Sequence, residues 1–363
     1  HYTNWFAPNQ IASKHHVTIW SKEFWPLLRA YAEMMAAGRQ NTFWIRLPDF
    51  FDMPKDHNDL PLPRLNRYRF EKYVKTFQEA GLYWMEGAPI AHRPDGDWSK
   101  DWLELAITFD PATSDNGQAA LKSITQQLLE VLKENDWQDR WIQHLADEPT
   151  DTNAKDYAKL ANQIRGFMPG VRIVEATMTR ELSGAIDIWC PQIQKYHANQ
   201  DFFKARREAG DQIWVYTCLV PGGAWLNRLL DQERLRQVYV GWAAVHYDLD
   251  GFLHWGLNHY KADPFKQSVV DHPAQPNTTN KLPAGDTHII YPGIDGPWSS
   301  QRFEAHRIGM EDRELLLQLK QKNPSLAADV IDQVFRAAND YETSVAVYRH
   351  ARRKLLLALG QKR

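Results

Sequence analysis

The chain has 363 residues and a near-balanced charge, 43 Lys and Arg against 45 Asp and Glu, so it carries no field to draw nucleic acid or a membrane surface. Hydrophobic residues make up 43% and charged ones 24%, which excludes a disordered chain, and no run approaches the ~20 apolar residues of a membrane span. Two cysteines, Cys190 and Cys218, exclude a disulfide scaffold; the surplus is aromatic, with 15 Trp, a residue suited to cores, interfaces and sugar rings alike.

The sequence opens on His1 rather than Met, so its native start is expected to have been removed or to lie in another segment, and no signal peptide can be read. Residues 2–6 (YTNWF) read as the first strand. A helix follows: Ser21 fits its N-cap, Phe24, Leu27, Leu28, Tyr31, Met34 and Met35 form the apolar stripe, and Gly38 ends it. Strand two falls at 41–47 (NTFWIRL), the Pro- and Asp-rich stretch 48–63 reads as a loop, and a helix near 69–80 precedes strand three at 82–88 (LYWMEGA). Residues 89–111, with Trp98 and Trp102, are too long for a simple connector and predict a functional loop or hairpin over one end. A helix at 118–135 leads to strand four at 141–146 (WIQHLA), which runs straight into Asp147-Glu148-Pro149. Then come a helix at 154–167, strand five at 171–176, strand six at 186–190 and a helix at 201–209. Strand seven at 212–219 (QIWVYTCL), a helix at 232–247 and strand eight at 251–257 (GFLHWGL) complete the series. Beyond a polar, proline-containing loop at 263–283, Ser299 and Ser300 start a helix running through 302–320, and the Ala- and Leu-rich tail from Pro324 reads as one or two long helices.

Strands alternating with helices predict a parallel sheet, and eight of them predict an α/β fold, a (β/α)8 TIM-like barrel over 1–322 with a C-terminal helical extension over 323–363 packed on it. A doubly wound open sheet would place a Gly-rich phosphate turn after strand one, and Trp5-Phe6-Ala7-Pro8 is nothing of the kind.

Barrel active sites sit at the C-terminal ends of the strands, where Asp147 and Glu148 stand side by side. Repulsion between adjacent carboxylates raises one pKa, leaving one acid protonated and one ionised near neutrality, the division that glycoside hydrolysis uses. Either acid could instead cap the next helix, but Asp151, Thr152 and Asn153 already serve that need. Strands seven and eight end without a carboxylate, so the nucleophile of a two-carboxylate retaining enzyme is missing. Either Glu175 or Glu86 replaces it, or a 2-acetamido group of the substrate attacks the anomeric carbon itself, with Asp147 on the acetamido nitrogen and Glu148 on the leaving oxygen.

Trp44, Arg46, Trp84, Glu86, Glu175, Trp189, Trp214, Tyr216, Trp225, Trp255 and Asn258 are candidates to floor and wall a sugar pocket, although any single Trp serves a core equally well. Tyr216 suits an acetamido oxygen, Arg46 or Asn258 a hydroxyl, and Glu175 a hydroxyl or a buried ion pair, while Gly285-Asp286 reads as a turn able to line the site. His15, His16, His57, His254 and His259 lack metal-ligand spacing, so neither metal nor cofactor is expected, and Cys190 and Cys218 are expected as buried free thiols. The basic stretch 349–354 reads as a solvated helix face.

Several segments go further: His144-Leu145-Ala146-Asp147-Glu148-Pro149, Trp214-Val215-Tyr216-Thr217-Cys218, 251–258 (GFLHWGLN), Pro283-Ala284-Gly285-Asp286, Tyr291-Pro292-Gly293, and Arg302 with Arg307-Ile308-Gly309-Met310-Glu311-Asp312. In this order, over nearly the whole chain, the sequence resembles glycoside hydrolase family 123 and its relatives. The resemblance implies a bacterial β-N-acetylgalactosaminidase, exo- or endo-acting on a glycan or glycoconjugate by the substrate-assisted route. It assigns Asp147 to stabilise the acetamido group and oxazolinium and Glu148 as general acid/base, and implies a secreted, periplasmic or cell-surface location. Family members usually carry an N-terminal β-sandwich, whereas these residues begin on the first barrel strand, and Ala146 stands where a Ser is expected.

Overall fold

A computed structural model of the protein describes residues 1–53, 62–272 and 279–360. Its main sheet has eight strands: β1 Tyr2–Asn4, β2 Thr42–Ile45, β3 Trp84–Gly87, β4 Trp141–Gln143, β5 Arg172–Ala176, β6 Ile188–Cys190, β7 Gln212–Thr217 and β8 Gly251–His254. All pairings are parallel and the order is β1-β8-β7-β6-β5-β4-β3-β2, so from β2 to β8 chain neighbours are sheet neighbours, and the first strand pairs with the last. This is the barrel-like α/β sheet expected from the alternation. Every residue of β1, β2, β4, β6 and β8 is buried, which explains the unbroken apolar runs: a parallel strand is covered on both faces.

The helices are α1 Pro8–Lys14, α2 Phe24–Ala37, α3 Arg67–Glu79, α4 Asp115–Glu134, α5 Ala154–Phe167, α6 Ile193–Ala198, α7 Gln200–Glu208, α8 Leu235–His246, α9 Gln301–Lys322, α10 Pro324–Asp332 and α11 Val345–Gly360. Ser300 caps α9 by accepting from the Phe303 N–H, as its position suggests. Ser21 is not the cap of α2: the helix begins at Phe24, and the Ser21 backbone carbonyl, not its hydroxyl, receives the Phe24 N–H. The tail also differs from the expectation of helix alone, since a short hairpin, Phe335–Ala337 with Asp340–Tyr341, separates α10 from α11. Parts of the loops at 48–63 and 263–283 and the last residues of the tail lie outside the described residues.

The chain divides into two compact units. One comprises residues 1–41, 192–200 and 214–363, the other residues 42–191 and 201–213. In the first, α8 and α9 touch backbone to backbone: a Cβ on Gly241 would stand 1.8 Å from the Gly309 carbonyl oxygen, so neither position has room for a side chain. Three residues on, the buried Asp312 carboxylate accepts from Trp242 Nε1 at 3.1 Å, Tyr348 Oη at 2.7 Å and Arg352 Nε at 2.7 Å, tying α9 to α8 and α11. The Ile308–Asp312 motif is thereby explained as packing. In the second unit, α3 lays Phe70, Tyr73, Val74 and Phe77 inward, and Phe77 stacks on Phe43 of β2 at 4.6 Å. Each such buried ring contributes about 1.5–3 kcal/mol.

Candidate active site

The acid loop leaves β4 of the second unit at His144 and is held at almost every peptide. The N–H groups of Leu145 and Ala146 donate to Glu175 Oε2 at 2.9 and 3.0 Å. The carbonyls of His144 and Leu145 accept from Ile90 and Ala91, at 3.3 and 2.9 Å, and the Pro149 carbonyl accepts from Met178 at 3.2 Å. Arg93 donates to the Asp147 carbonyl at 2.9 Å and to the Glu148 carbonyl. These bonds sustain Glu148 at φ +49°, a left-handed conformation that costs a non-glycine residue about 1–3 kcal/mol and persists only where surroundings over-determine it.

The donors Ile90, Ala91 and Arg93 come from the excursion at 89–111, which folds as the anticipated hairpin, Ala91–His92 against Glu104–Leu105. Buried Asp156 of α5 fixes its return, accepting from the Leu103 N–H at 2.9 Å and Thr113 Oγ1 at 3.1 Å. Arg93 also lies 4.0 Å over the ring of Trp98, which stays exposed.

Asp147 is open to solvent on one side and walled by protein on the others. That burial, with the charges of Glu148 and Glu175, pushes its carboxyl up to about 8, against the pull of His144 and Arg93. Asp147 therefore retains a proton at neutral pH, and Glu148 stands beside it as a second carboxyl. A proton to give and a carboxylate to stabilise positive charge stand on adjacent residues.

Beneath the loop, His144 bridges two acids: Nδ1 is 3.0 Å from Glu175 Oε1 and Nε2 is 2.8 Å from Glu86 Oε1. Glu175 Oε2 also accepts from Tyr157 Oη at 2.8 Å. His144, Glu86 and Glu175 have no exposed surface, so in this conformation neither acid offers an oxygen to a sugar. Trp44 is almost buried and packs edge-on to His144 with centroids 5.3 Å apart; Arg46 is exposed and lies 4.0 Å from Asp49. Trp84 is half-buried under the Arg172 guanidinium. Trp189 is fully buried against Phe202 and Phe203, its Nε1 donating to Asp211 at 2.7 Å, which makes it a packing residue.

The other candidates lie in the first unit. Trp214 is fully buried and packs on His1 at 4.8 Å, and Asn258 is fully buried with its amide bonded both ways to the Ala7 backbone, at 2.8 and 3.1 Å. Both are thereby structural. Tyr216 is buried on β7, and Trp225 is half-buried edge-on to His197. Trp255 is half-buried, its indole fixed by Nε1 donating to the buried Asp286 carboxylate at 3.2 Å. Cys190 and Cys218 are each a buried thiol outside any disulfide. Among the described residues no group of three or more His, Cys, Asp or Glu is arranged to hold a metal; His57 lies outside them.

The model of the glycoside hydrolase 123 catalytic domain matches residues 5–319. The chain belongs to glycoside hydrolase family 123. In fold it is similar to a family 123 glycoside hydrolase from Clostridium perfringens, solved for the details of glycolipid glycan hydrolysis, with TM-score 0.70 and 14% identity over 99% of this chain and 68% of that one. A GH5_18 protein from Streptomyces cattleya, solved in complex with GlcNAc, aligns with TM-score 0.51 and 11% identity over 86% of this chain and 80% of that one. At these identities the likeness concerns the fold. A sequence search of curated proteins finds no match.

In this family 123 hydrolase, sequence reasoning missed Arg93 and His144. Arg93 lies 54 residues from Asp147, on an excursion whose register no local pattern gives. His144 left a signal: a polar residue inside an apolar strand run, with Glu86 and Glu175 similarly placed on the flanking strands. Ala146, where a Ser is expected, is buried and contributes its backbone N–H to Glu175.

Proposed function

We propose that this hydrolase is a retaining enzyme that cleaves a β-linked 2-acetamido sugar, N-acetylgalactosamine foremost, by substrate-assisted catalysis. The observation that carries the reading is the contrast among strand-end acids of the second unit. Asp147 reaches solvent beside Glu148 on a rigid loop, whereas Glu86 and Glu175 are sealed and bonded to His144. That contrast favours a nucleophile supplied by the substrate over one supplied by Glu86 or Glu175.

The acetamido carbonyl oxygen attacks the anomeric carbon as the glycosidic C–O bond breaks, and Glu148 gives its proton to the departing oxygen. The N–H of the acetamido group donates to Asp147, which favours the ionised form there and leaves the pair's proton on Glu148. Asp147 then faces the positive charge of the oxazolinium ion. Glu148, now a carboxylate, takes a proton from the water that opens the ring, restoring the sugar with retained configuration. The glycolipid glycan handled by the Clostridium perfringens relative supports a lipid-linked oligosaccharide as the natural substrate.

A thiazoline analogue of the oxazolinium tests this on nitrophenyl glycosides, acetamido and neutral. Competitive inhibition with turnover confined to the acetamido series is expected. Turnover of neutral glycosides untouched by the thiazoline would overturn the substrate-assisted reading, and a 2-fluoro-glycosyl ester trapped on Glu86 or Glu175 would replace it.

A further inference from the structure

Both nitrogens of His144 meet a carboxylate oxygen, at 3.0 Å to Glu175 and 2.8 Å to Glu86. A neutral imidazole has one N–H and could serve only one of them; an imidazolium serves both. We propose that His144 is a positioning residue, a permanent imidazolium that orients Glu175 beneath the acid loop and sets the charge balance around Asp147. This inference rests on the assignment of Asp147 and Glu148 as the reacting pair, and names what holds and tunes that pair.

The positional part follows from the bonds. With Glu175 Oε1 turned to His144, Oε2 is left to gather the N–H groups of Leu145 and Ala146 and the Tyr157 hydroxyl. Two consecutive N–H groups on one oxygen fix the direction in which the chain leaves β4, and with it where Asp147 and Glu148 stand. All three members are fully buried, so water does not compete for these bonds.

The electrostatic part follows from what faces the ring. Glu86 of β3 and Glu175 of β5 meet the ring, Asp147 of the acid loop lies within reach of its charge, and Arg93 of the hairpin acts on Asp147, Glu148 and Glu175. Tyr157 of α5 and Cys190 of β6 border the same acids, as uncharged groups whose ionisation is pushed well above the ordinary range by burial and by these carboxylates. Against four acids His144 and Arg93 supply the positive charge. Burial alone would discharge His144, yet the hydrogen bonds it donates to Glu175 and Glu86 hold it up to about 10. Its charge lowers the cost of ionising Asp147, the state that the oxazolinium requires.

The test uses two substitutions of opposite sign in the full chain. His144→Gln removes a positive charge, so the pair grips its proton harder and the alkaline limb of kcat/KM moves up, on the order of one pH unit. Glu86→Gln keeps an acceptor for Nε2 but removes a negative charge, so that limb moves down by a similar amount. In both, kcat falls more than KM rises, because the lost interaction belongs to the transition state. A merely structural role lowers the melting temperature and leaves both limbs in place; unmoved limbs, or limbs moving in the same direction, would overturn the proposal. Should His144→Gln not fold, the downward shift in Glu86→Gln decides alone. The profile is read on whichever glycoside the wild type turns over, so a failed thiazoline test leaves this one standing.

Discussion

Each unit buries a cluster of ionisable groups, and the two put the same side chains to opposite uses. In the second unit His144 sits between carboxylates and is held charged, up to about 10. In the first unit His254 and His306 are buried near the guanidinium groups of Arg228 and Arg302, and burial with those positive charges pushes both well below the usual imidazole range. His254 is accordingly an acceptor, its Nδ1 taking the Gly256 N–H at 3.0 Å. The arginines differ likewise. Arg302 is buried and spends its Nη atoms on the carbonyls of Arg228, Gly285 and His288, at 3.0, 2.7 and 2.7 Å, an internal rivet. Arg93 also clasps backbone carbonyls, but those of the loop that turns Asp147 toward solvent. Neighbours, not residue type, separate a cluster that stabilises from one that presents chemistry.

Substitution breaks the comparison most strongly at the acids. Asp147→Asn and Glu148→Gln should each lower kcat on an acetamido aryl glycoside on the order of 10²–10⁴-fold, the range of a positioned acid or base. Thermal melting should persist, because the loop is held through its backbone by Glu175, Arg93 and the hairpin; a tenfold loss or less would remove the residue from the reacting pair. Arg302→Met should act in the other sense, costing about 3–9 kcal/mol of stability by orphaning three buried carbonyls at roughly 1–3 kcal/mol each. Urea unfolding reads this, and a loss under about 1 kcal/mol would mean that the rivet is dispensable.

The pH profile sharpens the contrast by a smaller step. The proton donated is the one the pair retains, and its loss follows the Asp147 carboxyl, raised to about 8, so the pair is loaded below that pH and empties above it. Steady-state kcat/KM should fall toward tenfold per unit as pH rises past about 8. An alkaline limb near the ordinary carboxylate range would contradict the burial and repulsion assigned to Asp147.

The barrel was legible because parallel strands covered on both faces leave unbroken apolar runs, as in residues 42–45 and 251–254, between helices with readable stripes. Asp147 and Glu148 were legible because the pair is local, two acids in tandem at a strand end. The devices that hold the pair were not. Arg93 and Asp147 are 54 residues apart, and His144 and Glu86 are 58 apart, so only the sheet order brings them together. The Trp candidates split for the same reason: Trp189 and Trp214 are buried in packing while Trp225 and Trp255 keep open surface, and a strand-end Trp looks alike in both roles.

Fluorination of the substrate acetamido group measures the central claim most directly, because each fluorine makes the carbonyl oxygen a poorer nucleophile without altering the leaving group. For mono-, di- and trifluoroacetamido aryl glycosides, nucleophilic participation predicts kcat/KM falling steeply with each added fluorine. A flat series would contradict it and return the nucleophile to the protein.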